Sequence, residues 1–379
     1  MHSIGTAPLK RANLNPDDTV GMDRSRTRDD STLRAYEGYL AKKRLIILGL
    51  VFAVFAIAVW SIMIGSSNIS LLEVLSALIG QGERNHQIVV WNLRMPRILT
   101  AIVGGIALAL AGCAFQGTLR NPLASASTLG VSQGAAFGAS VAIILLGAGG
   151  QVSAYDGSQF SGNPYLTALC AFLGAMCSTL VVLGLSRMRE MTPEAIVLTG
   201  VALSALFSGG TTMIQYFAED TQVAAVIFWT FGDLSRVGYQ QLAVMAVTTA
   251  LSTAYFFTNR WNYNAMESGE ASAHGLGVNV NRVRLMGMMA ASAAASTTVA
   301  FCGIINFVGL VAPHVMRRLI GSDYRYLLPA SALAGTALLM LSDIAAHAIV
   351  APLILPISAI TSFVGAPVFI YLLFKGISR

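Results

Sequence analysis

Beyond Lys43 the chain is a succession of apolar runs, each long enough to cross a lipid bilayer. A transmembrane helix needs about 20 predominantly apolar residues. Ten such runs can be drawn, at residues 45–65, 96–116, 126–148, 165–186, 194–217, 239–258, 283–302, 304–320, 327–350 and 360–376. Pro313 and Pro329 interrupt the pattern around the eighth and ninth, so those boundaries are open. Only 11% of the residues are charged and the mean hydropathy is +0.66, whereas a globular domain carries roughly 25% charged residues. The expected fold is therefore all-α: a polytopic membrane protein of about ten transmembrane helices over residues 45–379. Residues 1–44, a mixed basic and acidic tail, are expected to be disordered.

One segment says how these helices pack. Arg120–Gly138 places a charge, an Asn-Pro step and a run of Gly, Ala and Ser between two apolar stretches. Pro122 has no N–H and biases Asn121 out of the helical region, so a helix must end there. The small residues that follow make a poor helix in water. In a membrane they make a good interface, because they let neighbouring helices approach closely.

The distribution of charge orients the chain. Nine Lys and Arg residues lie in positions 1–44, ahead of the first apolar run, and basic residues there favour a cytoplasmic amino terminus. With alternating spans, the loops carrying Arg187 and Arg189, and Arg260, Arg282 and Arg284, are also inside, as are Lys375 and Arg379; the 148–164 loop has no Lys or Arg and falls outside. The tail interleaves six acidic residues with its basic ones, which argues against nucleic-acid binding. A cleaved signal peptide is not expected, since the first apolar run is full length.

Chemistry-bearing motifs are sparse. Cys113, Cys170, Cys177 and Cys302 lie within apolar runs without a Cys-x-x-Cys pair, as buried small hydrophobes do. No His-x-x-x-His pair, Gly-x-Ser-x-Gly elbow or Walker-type phosphate loop is present. The expectation is no catalytic residue, no metal site and no cofactor bound by this chain. Energy for active transport must then come from elsewhere.

Three polar interruptions carry the functional signal. Arg94-Met95-Pro96-Arg97 precedes the second run, with Pro96 placed where a helix begins. Two arginines on an outer face run against the positive-inside rule. They are either snorkelling anchors or a forked docking point for carboxylates of an external partner. The inside loop from Asn264 to Arg284 holds Glu267, Glu270, Ala271, Ala273 and His274, suited to a short amphipathic helix that Gly275 and Gly277 end. It is either a solvated connector or a rigid peg for a cytoplasmic partner. Pro313 and His314 lie in an apolar helix ahead of Arg317 and Arg318. The histidine can be a ligand or proton carrier, or can satisfy carbonyls freed by the proline.

Together these pieces resemble the permease subunits of the iron–siderophore, haem and cobalamin ABC importers, the FecCD-type type II importers. The matching stretches, in the family's order, are Arg94–Arg97, Gln116 ahead of Arg120-Asn121-Pro122-Leu123-Ala124, Leu129–Ser132, Glu270–Gly277, Phe307–His314 and Gly365-Ala366-Pro367. They run from about residue 45 to the end and leave residues 1–44 outside. The resemblance implies ten helices, a second permease subunit (a homodimer, or a heterodimer), two ATP-binding subunits that carry ATP and Mg, and an external substrate-binding protein. It implies a multi-pass protein of the bacterial inner membrane with both termini cytoplasmic.

By the same resemblance Arg94 and Arg97 pair with glutamates of the binding protein, and His347 stands where the cobalamin permease has a third arginine. A histidine makes that contact pH-dependent. Glu267, Gly269, Glu270, Ala273, His274, Leu276 and Gly277 match the coupling helices that sit on the ATPase. Thr192, Pro193 and Glu194 match the cytoplasmic gate, although Pro193 and Glu194 depart from its small hydroxylated pattern. The Ser127–Gly138 run is closer to ferric-siderophore permeases, with haem, cobalamin and molybdate as alternatives. Rival classes are an ion-coupled secondary transporter, for which Asp343 is the carboxylate within a span, and an intramembrane enzyme, for which no nucleophile–base pair stands out.

Overall fold

A computed structural model describes residues 16–64, 71–148, 163–188, 193–351 and 353–377. Fifteen α-helices occupy the described residues, and no strand occurs among them. They are α1 (Pro16–Met63), α2 (Leu71–Leu78), α3 (Arg84–Ile88), α4 (Met95–Thr118), α5 (Val131–Ser140), α6 (Pro164–Met188), α7 (Pro193–Tyr216), α8 (Asp220–Thr230), α9 (Tyr239–Thr258), α10 (Arg260–Glu267), α11 (Glu270–Gly275), α12 (Val280–Cys302), α13 (Val308–Ile320), α14 (Tyr324–Ala348) and α15 (Ile357–Ile377). The chain divides into two compact units, Met1–Ile46 and Ile47–Arg379. Helix α1 begins at Pro16, far ahead of the apolar run at Leu45, so positions 16–44, expected as a disordered tail, are helical.

Each of the ten expected spans coincides with a helix, but several differ in extent. The run at 126–148 starts its helix only at Val131, with a π-helical turn over Val141–Leu145. Arg120 adopts a left-handed φ of +46° after α4 ends. Asn121 then closes the turn twice, its Oδ1 accepting from Leu123 N (2.9 Å) and its carbonyl from Ala124 N (3.1 Å). Ser125, Ser127 and Thr128 bond among themselves and hold the start of the run out of the helix. At 304–320 the helix begins at Val308, after Phe307 at φ +64°. Pro313 and Pro329 sit inside α13 and α14 instead of ending them.

The second span also starts differently. Helix runs continuously from Arg84 to Thr118, so Pro96 lies inside it. A π-helical turn over Val89–Arg94 shifts the hydrogen-bond ladder, with Met95 N bonding five residues back to Val90 O. That shift falls immediately before Pro96, which has no N–H to contribute.

Helix α4 is the hub. It is buried over most of its length and packs against α9, α12, α13 and α14, while α5 packs against α6 and α7. The spacing is set by small residues. Gly112 of α4 lies against Gly309 of α13 so closely that a Cβ at either would strike the other helix's backbone or that of its neighbour in the same turn. Gly134 of α5 and Gly174 of α6 meet in the same way, as the Arg120–Gly138 segment predicts. By contrast only 6% of the apolar window of α1 and 11% of that of α7 are buried, leaving both as outward faces of this subunit.

Candidate functional site: two polar clusters at opposite ends of helix α4

Gly117 lies 20 residues after Arg97 in α4, about 30 Å along a helix and roughly the hydrocarbon thickness of a bilayer. A polar cluster surrounds each end.

At the first end the arginines of the Arg94–Arg97 step point inward. Arg94 is 4% exposed and Arg97 5%. Helix α1 ends nearby, and its last carbonyls have no partner within the helix. Arg94 Nη1 donates to the carbonyls of Ile62 (2.5 Å) and Met63 (3.4 Å). Arg97 Nη2 donates to those of Ser61 (3.4 Å) and Ile64 (3.3 Å). Arg97 Nε also lies 3.1 Å from Oδ2 of Asp343, a carboxylate only 1% exposed on α14. The expectation of two outward-facing guanidinium groups therefore meets a different arrangement, in which both cap one helix and one neutralises a buried carboxylate.

His347 joins the same cluster. Its Nδ1 is 2.9 Å from the Asp343 carbonyl oxygen and 3.6 Å from Asp343 Oδ1. A carbonyl can only accept, so Nδ1 carries the proton in this contact. Asp343 is thus flanked by Arg97 and by His347. Sequence reasoning placed all three separately but did not pair them. The signal was available: a carboxylate in the middle of an apolar run requires a cationic partner.

At the other end lies the expected coupling segment. It is two short helices, with the break at Ser268-Gly269 between Glu267 and Glu270. Gly269 has φ +115°, a conformation that other residues adopt only with strain. Helix α11 buries Ala273 and exposes Ala271, Ser272 and His274, with Leu276 beyond its end 72% exposed. Gly277, at φ +79°, ends the element. The peg is tied down on three sides. Glu270 pairs with Arg284 of α12, Glu267 with Arg317 of α13 (2.9 Å), and Asn264 Nδ2 donates to Asp323 Oδ1 (3.0 Å) ahead of α14.

Burial pushes the Asp323 carboxyl up, but hydrogen bonds from Arg325 and Asn264 outweigh it and hold it below its ordinary value. A depressed carboxylate contributes stability above its unfolded pKa, about 3.9 for Asp, and loses it as pH falls through the folded value. The unfolding temperature of the detergent-solubilised protein should drop on acidification below about pH 4. Asp323→Asn should flatten that part of the profile, and an unchanged profile would show that Asp323 makes no such contribution.

The remaining predicted residues lie outside these contacts. Gln116 Nε2 donates to Leu310 O (3.2 Å) and so joins α4 to α13 beside Pro313. His314, read either as a ligand or proton carrier or as a partner for freed carbonyls, sets its ring edge-on to Phe369 (5.8 Å), and its Nδ1 makes no hydrogen bond among the described residues. Pro122 lies in the turn after α4. Thr192 lies outside the described residues; Pro193 and Glu194 open α7, where a carboxylate suits the positive helix end. Among the described residues no group of three His, Cys, Asp or Glu could hold a metal ion.

The model of the FecCD transport family matches residues 47–375. A protein of Methanocaldococcus jannaschii, named as a putative ABC transporter permease, is 47% identical over 91% of this chain and 98% of its own length. The permease of the Fe(3+)-citrate import system of Bacillus subtilis is 34% identical, over 88% of this chain and 96% of its own. The permease of a hemin transport system in Yersinia pestis is 31% identical, over 82% and 91%. Among solved structures, a metal-chelate-type ABC transporter in an inward-facing conformation superposes with a TM-score of 0.76 at 29% identity, covering 88% of this chain and 99% of that one.

Proposed function

The chain belongs to the FecCD transport family and is an ABC importer permease of that family; on that premise we propose that it imports a ferric siderophore, driven by two separate ATP-binding subunits and supplied by an external binding protein. The observation that carries the coupling part is the α10–α11 peg. It exposes a large apolar side chain, Leu276, among small residues, while Glu267, Glu270 and Asn264 bind it to three long helices. A peg held this way transmits force, where a slack loop would absorb it. The exposed flanks of α1 and α7 suit lipid and a second copy of the subunit. With the amino terminus cytoplasmic, the peg faces the cytoplasm and the Arg97 cluster faces outward.

The docking role of Arg94 and Arg97 then takes the form of an exchange. Carboxylates of the binding protein must compete with Asp343 and with the α1 carbonyls for the same guanidinium groups.

Ferric cargo is favoured by the Ser127–Gly138 run and by the resemblance to the Fe(3+)-citrate permease. Similar identity to a hemin permease makes haem the competing cargo. Uptake into proteoliposomes holding the permease, its ATPase and its binding protein decides between them. Ferric citrate, a ferric hydroxamate, haemin and cyanocobalamin are offered in turn, with and without internal ATP. The expected result is ATP-dependent accumulation of iron from a ferric chelate. Accumulation of haemin or cyanocobalamin alone would replace the cargo, and uptake that ignores ATP would overturn the mechanism.

A further inference from the structure

A single polar line joins the peg to the last turns of the hub helix. Glu267, at the end of α10, accepts from Arg317 Nη1 of α13 (2.9 Å). Arg317 Nη2 donates to the Tyr324 hydroxyl at the start of α14 (3.3 Å), and that hydroxyl reaches the carbonyl of Cys113 in α4 (3.4 Å). A second tie runs beside it, with Asn264 Oδ1 of α10 accepting from Tyr324 N (2.8 Å) and so capping α14 from outside.

The two ties meet at a stacked pair. The rings of Tyr263 (α10) and Tyr324 are 5.2 Å apart and nearly parallel, at 19°. Both side chains are fully buried. Each hydroxyl is pressed against a glycine, Tyr324 against Gly117 of α4 and Tyr263 against Gly287 of α12, where any Cβ would collide with the phenol. Close packing of this kind leaves no gap in which one element can slip past the other. A tilt of α10 must be followed by α4, α12 and α14.

We propose that Tyr263 and Tyr324 are positioning residues of the transport cycle, which carry displacement of the α10–α11 peg into the hub helix α4 through the ring stack and the Glu267–Arg317–Tyr324–Cys113 line. This rests on the importer reading above. Both tyrosines are buried within this chain, so the role assigned to them is one of position. Their role is to keep ATP hydrolysis and transport in step.

The test uses the assembled transporter in proteoliposomes, measuring ATP hydrolysed and chelate accumulated in the same sample, with the chelate selected by the uptake experiment. Tyr324→Phe keeps the ring and removes both hydroxyl contacts; Tyr263→Leu removes the stack. In both, the chelate moved per ATP should fall roughly two- to thirtyfold while hydrolysis continues near the wild-type rate. An unchanged ratio in Tyr324→Phe overturns the proposal. So does a parallel loss of hydrolysis and transport in Tyr263→Leu, which would mark the stack as structural only. If Tyr263→Leu fails to assemble, Tyr324→Phe decides alone. A wild-type chain that binds no ATP-binding subunit would instead overturn the importer reading, so the two failures are separable.

Discussion

Asp343→Ala is expected to destabilise the folded permease by about 3–5 kcal/mol, the cost of leaving a buried charge without its partner. Arg97 is 5% exposed and its Nε faces Asp343 Oδ2 at 3.1 Å. Its remaining contacts, to the carbonyls of Ser61 and Ile64, are long at 3.4 and 3.3 Å and carry no compensating charge. Thermal unfolding in detergent, followed by tryptophan fluorescence, measures the effect. The double variant Arg97→Met with Asp343→Leu should recover much of the loss, because well-packed apolar groups often replace a buried ion pair at little cost. Recovery should be incomplete, since the α1 carbonyls lose their donor. A single variant as stable as wild type would mean that the pair is not buried in the membrane-embedded protein.

The second large effect is steric. Gly112→Ala places a methyl group where the Gly309 carbonyl stands, so α4 and α13 must part. Overpacking typically costs about 1–3 kcal/mol, and the upper end is expected here because the obstacle is backbone, which cannot rotate away. Parting the two helices also breaks the Gln116–Leu310 bond one turn further along. Gly184→Ala in α6 is the matched control, since nothing lies within 4 Å of its added methyl. It should be neutral, or stabilising by up to about 1 kcal/mol through helix propensity. Equal unfolding temperatures for the two variants would sink the argument that Gly112 sets the helix spacing.

These two sites show what kind of information a sequence carries. The apolar runs were legible because period and length are local properties, and hydrocarbon permits few ways to satisfy a backbone. Their ends were less so. Ser125, Ser127 and Thr128 hold the start of an apolar run out of the helix by bonding to one another, and no periodicity reports such a turn. Pro313 and Pro329 read as interruptions, yet both are accommodated inside helices. The peg was legible as polar and helical. Its division at Gly269 follows from one left-handed glycine whose position, not its presence, matters.

For the sites, the sequence supplied the residues and left their pairing open. Arg97 and Asp343 are 246 positions apart, and Glu267, Arg317, Tyr324 and Cys113 lie in four different helices. An arginine ahead of an apolar run looks the same whether it faces a partner protein or caps the end of α1. Composition and charge order alone determined that this is a helical membrane protein of about ten spans with polar breaks at particular places, because burial in lipid penalises every misplaced charge. Only the tertiary structure decided that Arg94 and Arg97 turn inward, that Asp343 has a counter-ion and that two tyrosines close the gap between peg and hub. Those outcomes depend on which helix faces which, at separations of 3.1 Å for the ion pair and 5.2 Å for the stacked rings, which small residues permit and which one chain's order of residues does not express.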